Sequence, residues 1–370
     1  MSGASRWNEG KIHLGYLYNA DPSLASARHV LSQSLSFRSL IEQYLGVSIQ
    51  TLISQADDVY LCHRDSVVDP EIMGDRFLAV DELVRNHLQA SSYLVDVSNA
   101  YSRRLSDEEL GSITNTPDII AGFKVPERSV STIAIAELMV AALESESEIV
   151  QLMNTKVSGL QSLQANHKGP WVVETMNGEI GSFDFVVNAL WEGKLSIDNQ
   201  LGLILPSVWS HRYRRAVFVQ TSEPVEQPCV VIATGPFGDV KNYNGTDFYL
   251  SWYPHGLAAY GTEIGPPDIE ELSVGDRERL ANDVFDTLQQ FLPGVKNIRD
   301  KAKSVQIGGG WVYAAGQGPL SDPKSSLHRR SDYGVVESGR YFSVDTGKYA
   351  SAPFLAQLLA KRIDQLSRKN

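Results

Sequence analysis

Four short segments rich in strand-forming residues follow one apolar helical segment, and this order limits the folds open to the chain. Ser131 precedes the run IAIAELMVAAL, which predicts a helix through Leu143. The next segments are EIVQLM, KVSGLQSL, WVVETM and FDFVVNAL. Asn177-Gly178 predicts a hairpin turn between the third and the fourth. The unbroken apolar run of the fourth predicts a strand buried on both faces.

The rest of the chain predicts helices near both ends and strands between them. Asp21-Pro22 predicts the start of a helix that runs to about Leu45, with Gly46 as its stop, and Asp69-Pro70 opens a second helix. Strands are predicted over residues 57–63 and in the runs RRAVFVQT, CVVIAT, DFYLSWYP, GLAAYGTE and QIGGGWVYAAG. The predicted class is α/β, or α+β overall, with a large antiparallel sheet between two pieces of one α/β layer.

Composition excludes several classes of partner. A net charge of −11 argues against nucleic acid or an anionic membrane as the main partner. No apolar run approaches the length of a membrane-spanning helix, and the N-terminus lacks a signal-peptide core. Cys62 and Cys229 are far apart, which favours reduced thiols. These features predict a soluble cytoplasmic protein and leave its oligomeric state open.

Known catalytic and nucleotide-binding motifs are absent. GKYAS at 347–351 lacks the earlier glycine of a phosphate-binding loop, because Phe342 stands there. GQGPLS at 316–321 has two glycines of a dinucleotide fingerprint but ends in Ser321. The eight histidines form no metal-ligand spacing, and no serine lies in a GxSxG motif. Hydrolase, metal and ATP chemistry are therefore not predicted.

Two segments keep a possible binding role, the opening loop and the closing DTGKYASAPFLAQLLAKRI. In the second, a short turn places backbone N–H groups of residues 347–349 before a helix, where negative charge is stabilised. A plain connection between strand and helix explains the same pattern. From this segment alone, both interpretations stay open.

An ordered set of segments resembles one protein family. ASRWNEGKIHLGYLY, STIAIAELMVAAL, KVSGL, FDFVVNALWEGK, DFYLSWYPHG and VDTGKYASAPFLAQLLA are similar, in order and spacing, to FAD-dependent oxidoreductases of the D-amino-acid oxidase superfamily. The resemblance covers nearly the whole chain. It implies a Rossmann-like FAD-binding domain interleaved with an antiparallel-sheet substrate domain.

The resemblance also implies which residues contact FAD. The opening loop would run along the cofactor to its isoalloxazine ring, Val157 would touch the adenine end, and the NAL stretch would pass the pyrophosphate. The turn at 347–349 would lie against the flavin pyrimidine, where a helix N-terminus stabilises reduced flavin. One elongated cavity is expected to join these segments. The implied cofactor residues are Ser5, Arg6, Asn8, Gly10, Lys11, Ile12, Val157, Asn188, Ala189, Leu190, Gly347, Lys348 and Tyr349.

The family begins with a strand, a GxGxxG turn, a helix and a second strand, and this first βαβ unit has no counterpart here. A late start of the reading frame, a fragment and a degenerate family member all explain this. We expect the chain alone to carry little FAD and to aggregate. The predicted FAD-binding domain comprises 1–55, 129–200 and 306–370, and the substrate domain 56–128 and 201–305.

A second departure concerns the substrate. Amino-acid oxidases of this family place an arginine after a glycine in a late strand, but here Trp311 and Val312 follow Gly310. Arg329 and Arg330 are interpreted as loop charges. Common D-amino acids and glycine are therefore expected to be poor substrates. Tyr253, His255 and Lys348 are the candidate catalytic residues.

The expected function is hydride transfer from a C–N or C–O bond of a small polar substrate to flavin. The alternative is a flavin-free family member that acts as a binding or interaction protein.

Overall fold

The computed structural model describes residues 3–368, in which ten helices are formed. They are α1 Ala25–Leu35, α2 Phe37–Leu45, α3 Pro70–Arg85, α4 Asp107–Ile113, α5 Thr132–Ser145, α6 Lys194–Gln200, α7 Tyr253–Gly256, α8 Val274–Phe291, α9 Val295–Asp300 and α10 Ala352–Ser367. None of these helices has the length and the apolar composition needed to cross a membrane.

The strands, in chain order, are β1 Lys11–Ile12, β2 Asp58–His63, β3 Arg103–Arg104, β4 Ile119–Val125, β5 Arg128–Ser129, β6 Val157–Ser162, β7 Trp171–Thr175, β8 Gly178–Phe183, β9 Val186–Asn188, β10 Ser210–Thr221, β11 Val230–Ala233, β12 Gly238–Asn242, β13 Asp247–Trp252, β14 Leu257–Gly261, β15 Ala302–Ala314, β16 Gly334–Ser338 and β17 Tyr341–Asp345. The predicted mixture of helices and strands is confirmed. The run EIVQLM, at 148–153, forms no strand, so that prediction was wrong.

A nine-stranded sheet dominates the described chain. Its order is β14-β10-β13-β12-β11-β2-β4-β3, and β15 also pairs with β10. All pairs are antiparallel except β11 with β2. The predicted large antiparallel sheet is thus confirmed. Its longest pairing sets Ser210 opposite Ala314 at one end of β10 and Thr221 opposite Ala302 at the other.

The two faces of this sheet have different neighbours, because successive side chains of a strand point to opposite faces. Val217 and Val219 of β10 pack in one core with Leu288 of α8. Ala216 and Phe218 face the other way and pack with Trp7 of the opening loop. The face that carries Ala216 and Phe218, the second face, is therefore the one on which a binding site can form.

Three smaller sheets complete the fold: β16-β17-β9, β6-β7-β8 and the pair β1-β5. The turn predicted at Asn177-Gly178 is confirmed, since Thr175 pairs with Gly178 across it, but its second strand is β8 and not the fourth run, whose strand β9 pairs with β17. Burial of the FVVNAL strand on both faces was wrong. Within the described chain β9 is an edge strand that pairs only with β17, and Val187 is 41% exposed.

The predicted helix over 21–45 is divided in two at Ser36. The Ser36 hydroxyl donates to the carbonyls of Ser32 and Gln33, which competes with regular helix bonding. Asp21 accepts from the backbone N–H groups of Ser23 and Ser26, and Gly46 ends α2 in the left-handed conformation.

The domain limits and the absence of a first βαβ unit stay predictions, and residues 1, 2, 369 and 370 lie outside the described chain. Strand β15 begins before the predicted limit at residue 305 and continues past it.

Candidate active site

A cavity of about 290 Å³ lies between the opening loop and the second face of the large sheet. Strands β10 and β13 form its floor, and β15 and the loop after it form one wall. Lys348, from the turn before α10, closes another side. The polar and charged residues of the lining are Asn8, Glu9, Lys11, His13, Tyr18, Arg212, Arg214, Thr234, Asp239, Tyr249, Ser251, Tyr253, His328, Arg330 and Lys348.

Strand alternation selects the floor residues. Arg212 and Arg214 are two apart on β10, so both point to the cavity. Tyr249 and Ser251 do the same on β13, and Tyr253 follows that strand. The side chains of Tyr249, Ser251 and Tyr253 therefore all line the cavity.

Glycines of β15 let the opening loop approach the sheet. A Cβ atom on Gly310 would lie 2.5 Å from the Cα atom of Ala4. One on Gly308 would lie 2.3 Å from the Trp7 ring, which also packs edge-on against Phe218. The GGG sequence is therefore required for this close packing.

Three arginines in the cavity have no acidic partner among the described residues. Nη1 of Arg212 lies 3.3 Å from the Tyr253 hydroxyl, and the Arg214 guanidinium lies 4.0 Å from the centre of the Tyr253 ring. Arg330 donates to the carbonyls of Tyr313 and Gly347 over 3.3–3.4 Å. Tyrosine and carbonyl groups do not neutralise these charges, so the cavity favours an anion.

Several buried polar atoms of the same cavity lack a hydrogen-bond partner. They are both ring nitrogens of His13, the Tyr18 hydroxyl and Nε of Arg212 and Arg214. Buried polar atoms are rarely left unpaired, because desolvation without a hydrogen bond is costly. The presence of these atoms in one cavity indicates that a polar ligand forms hydrogen bonds with them.

The surroundings change the proton affinities of the lining. Burial is the main cause that lowers the pKa of Lys348 to about 8, and the nearby Arg330 and Arg212 lower it further against the opposing effect of Glu9. Burial, aided by Lys348, lowers the pKa of His13 to about 4. Burial raises the pKa of Asp239. His13 is therefore neutral near pH 7.

Glu9 responds in the opposite direction. Burial by itself would raise its pKa, but interactions with His13 and Lys348 outweigh burial and lower it. Glu9 is thus ionised, and it lies 3.6 Å from Nε2 of His13.

A buried ion cluster supports the floor of the cavity. Lys11 lies 2.5 Å from Asp58 and 3.3 Å from Glu127, and Lys241 lies 2.7 Å from Asp58. Burial would raise the pKa of Asp58, yet Lys11 and Lys241 lower it. Lys11 lines the cavity, but its charge is balanced within this cluster.

The structure brings four of the predicted site residues into the lining: Asn8, Lys11, Tyr253 and Lys348. Other residues of the opening loop lie outside it. Arg6 pairs with Glu137 at 2.8 Å, Ser5 is exposed, Gly10 packs against the Val130 carbonyl, and Ile12 is buried in the core.

The remaining predicted residues also lie outside the lining of this cavity. Val157 belongs to β6, and Asn188 bonds to Lys194, Asp198 and Tyr341 near the exposed Leu190. Ala189 lies between Asn188 and Leu190 and is exposed. His255 contacts Thr287 of α8, Gly347 packs under the Tyr333 ring, and Tyr349 packs near Phe37. Their predicted roles stay predictions.

The interpretation of Arg330 as a loop charge was wrong, because the loop folds back and places Arg330 in the cavity, while Arg329 is exposed. Arg212 and Arg214 were missed. In the strand HRYRRAVFVQT, successive side chains point to opposite faces, so both arginines share the face of Ala216 and Phe218. This pattern could have identified them from the sequence.

No protein-family model matches the chain, and no curated protein matches it in sequence. Its structure is similar to solved structures of amino-acid-oxidising enzymes. Glycine oxidase from Geobacillus kaustophilus has a TM-score of 0.67 and 15% identity, with 98% of this chain and 85% of that chain covered. L-proline dehydrogenase from P. horikoshii has a TM-score of 0.60 and 16% identity, with 97% and 84% covered.

Iminodiacetate oxidase from Chelativorans sp. BNC1 has a TM-score of 0.58 and 15% identity, with 97% of this chain and 85% of that chain covered. The chain shares the fold of these enzymes. The resemblance stated from the sequence is thus confirmed at the level of the fold.

The cavity lining fits the isoalloxazine end of FAD. That ring presents carbonyl oxygens and ring nitrogens, and the lining offers cationic N–H donors and buried donors without partners. Within the described residues, no cluster of histidine, cysteine, aspartate or glutamate could hold a metal ion.

Proposed function

We propose that this protein is an FAD-dependent oxidoreductase that removes a hydride from a C–N bond of a small anionic substrate. The proposal rests on one observation. A single cavity of this fold holds arginines without an acidic partner together with buried donors that lack a hydrogen-bond partner. The proposal includes the cytoplasmic location predicted from the sequence. Transfer from a C–O bond, the other predicted chemistry, is an outcome of the test below.

The opening loop and the turn before α10 are the proposed cofactor-binding segments. Asn8 and Lys348 lie in the lining on the two sides that these segments form. The N–H of Gly347 donates to Asp345 over 2.8 Å, which fixes the turn. FAD, when bound, supplies the acceptor for the hydride. Lys348, with its proton, would stabilise negative charge beside it.

Arg212 and Tyr253 are proposed to orient the substrate through an acidic group. Arg212 is only 7% exposed, so an anion bound there leaves water behind and pairs strongly. An arginine presents planar N–H donors that match a carboxylate. Arg212, on the floor of the cavity, is thus proposed to bind the acidic group of the substrate, which the apolar side chain of Val312 cannot do.

Asp239 is the proposed acceptor of the substrate proton. An amine must lose its proton before the adjacent carbon can release a hydride, because the nitrogen lone pair forms the C=N bond of the product. Asp239 lines the cavity, and its raised pKa suits a group that takes up a proton. Ser251 donates to its other oxygen over 2.5 Å and holds it in place.

The experiment adds FAD to the purified chain and follows loss of the visible flavin absorbance without oxygen, in the presence of amine and alcohol substrates. Rapid bleaching by acidic amines is expected, and bleaching only by alcohols would point to C–O oxidation. Asp239→Asn should slow bleaching by roughly 10²-fold or more, as for loss of a general base. Asp247→Asn, at the start of β13 and outside the lining of the cavity, is the matched control.

Absence of flavin bleaching by every amine and alcohol at saturating FAD, with retained binding of a small ligand, would contradict the proposal and support the flavin-free alternative. Equal slowing by Asp239→Asn and Asp247→Asn would remove Asp239 from the reaction but leave the oxidation itself standing.

A further inference from the structure

The charges that line the cavity do not balance. Its cations without a buried counterion are Arg212, Arg214, Arg330 and Lys348, and its only acidic residues among those described are Glu9 and Asp239. Even with both acids ionised, two positive charges remain uncompensated. A ligand with one acidic group would compensate one of these two positive charges and leave the other.

The surplus charges extend from separate elements of the fold. Arg212 extends from β10 and contacts Tyr253, which follows β13. Arg330 extends from the loop between β15 and β16 and reaches the carbonyl of Gly347, the neighbour of Lys348. Strand β15 lies between the two, since Val312 pairs with Arg212 and Arg330 bonds to the Tyr313 carbonyl.

We propose that the cavity recognises a dicarboxylate, with one carboxylate held by Arg212 and Tyr253 and the other by Arg330 and Lys348. This inference rests on the proposed function in one respect: the dicarboxylate is taken to be part of the substrate.

Electrostatic repulsion among the cations of the cavity favours a doubly charged ligand. Arg330 and Arg214 lower the pKa of Arg212, whose main perturbation is burial, and Arg330 and Arg212 act in the same way on Lys348. These cations therefore repel one another while they are poorly solvated. Two carboxylates remove both repulsions and give the unpartnered Nε of Arg212 an acceptor.

Carboxylates fit better than phosphates for a geometric reason. A guanidinium donates two parallel hydrogen bonds to a planar carboxylate, and Nε of Arg212 has no partner among the described residues. In the flavin-free chain used in the test below, the cavity of about 290 Å³ accommodates a small acid of a few carbons.

The test is calorimetric titration of the chain, without flavin, with succinate and with butyrate. The two probes share a four-carbon chain and differ by one carboxylate. Succinate should bind at least roughly tenfold more tightly, the ratio expected for one additional charge-assisted contact. Arg330→Gln should remove this advantage, whereas Arg329→Gln, at the exposed neighbouring arginine, should preserve it.

Equal affinities for succinate and butyrate would overturn the proposal, as would equal losses in Arg330→Gln and Arg329→Gln. Displacement of succinate by inorganic phosphate at similar concentration would overturn the choice of carboxylate. If Arg330→Gln does not fold, Arg330→Lys keeps the charge without the planar pair of donors and should weaken the binding of succinate more than that of butyrate. Because no flavin is present, a failure of the proposed oxidation leaves this result unaffected.

Discussion

Arg212 lies directly opposite Val312 in the antiparallel pairing of β10 with β15, and both side chains line the cavity. Val312 is in the segment where related amino-acid oxidases, by the resemblance, carry their substrate arginine. The positive charge absent from β15 is thus present on the adjacent strand. The expectation that common amino acids are poor substrates rested on the absence of arginine at this position of β15, and it stays a prediction.

Gly310→Ala should release the opening loop from the sheet. The added methyl group would lie 2.5 Å from the Cα atom of Ala4, so backbone must move, at a cost of about 1–3 kcal/mol. Faster trypsin cleavage after Arg6, followed by mass spectrometry, is the expected result. Gly275→Ala is the control, since nothing lies within 4 Å of its added Cβ atom. Equal cleavage in both variants would show that the loop does not depend on this contact.

Asp58→Asn should destabilise the fold far more than Asp300→Asn. Each aspartate lies 2.7 Å from a lysine, Lys241 or Lys296, but the first pair is fully buried and the second is exposed. Loss of the buried carboxylate leaves Lys241 without a counterion, which costs about 3–5 kcal/mol, whereas an exposed pair contributes about 0–1 kcal/mol. Denaturant unfolding measures both. A loss below about 1 kcal/mol for Asp58→Asn would contradict this account.

The large sheet was predictable because its strands carry local signals. These signals are the alternation of apolar and polar residues, the β-branched residues and the glycines in the turns. The turn at Asn177-Gly178 and the helix starts at Asp69 and Ser131 carry local signals of the same kind and formed where they were predicted, although the second strand of the hairpin is β8 and not the predicted run. The division at Ser36 depends on one hydroxyl that bonds back to its own helix. Such competition between side chain and backbone leaves little trace in a hydrophobic pattern.

The candidate site was less predictable, because its cations come from distant parts of the sequence. Arg212 and Arg330 are 118 positions apart and meet only because β10 pairs with β15 and the following loop folds back. Arg212 also has a local signal, its alternation with Arg214 and Ala216. Arg330 has none, since a loop has no period that fixes the direction of a side chain.

His13→Gln should make the fold less sensitive to acid. The pKa of His13 is about 4 in the folded chain, against 6.5 when exposed, so the unfolded chain binds a proton first as the pH falls. This stabilisation is complete above pH 6.5 and is lost towards pH 4. Between pH 7 and pH 5 the wild type should lose about 2 kcal/mol from this residue.

The measurement is denaturant unfolding of the wild type and His13→Gln at pH 7 and pH 5. His255→Gln, at an exposed histidine, is the control and should retain the wild-type dependence on pH. An unchanged difference between the two pH values in His13→Gln would argue against a neutral, buried His13.

Lys348 should make anion binding fall as the pH rises through 8. Its pKa of about 8 means that the free site loses this charge between pH 7 and pH 9, while the arginines keep theirs. Succinate affinity should drop by up to about tenfold at pH 9, the factor by which the protonated form is depleted. Lys348→Gln should bind succinate more weakly at pH 7 and show little further loss at pH 9. Lys361→Gln, on the exposed side of α10, should behave as the wild type. A decline of the same size in Lys348→Gln would assign the titration to another group and remove Lys348 from the anion site.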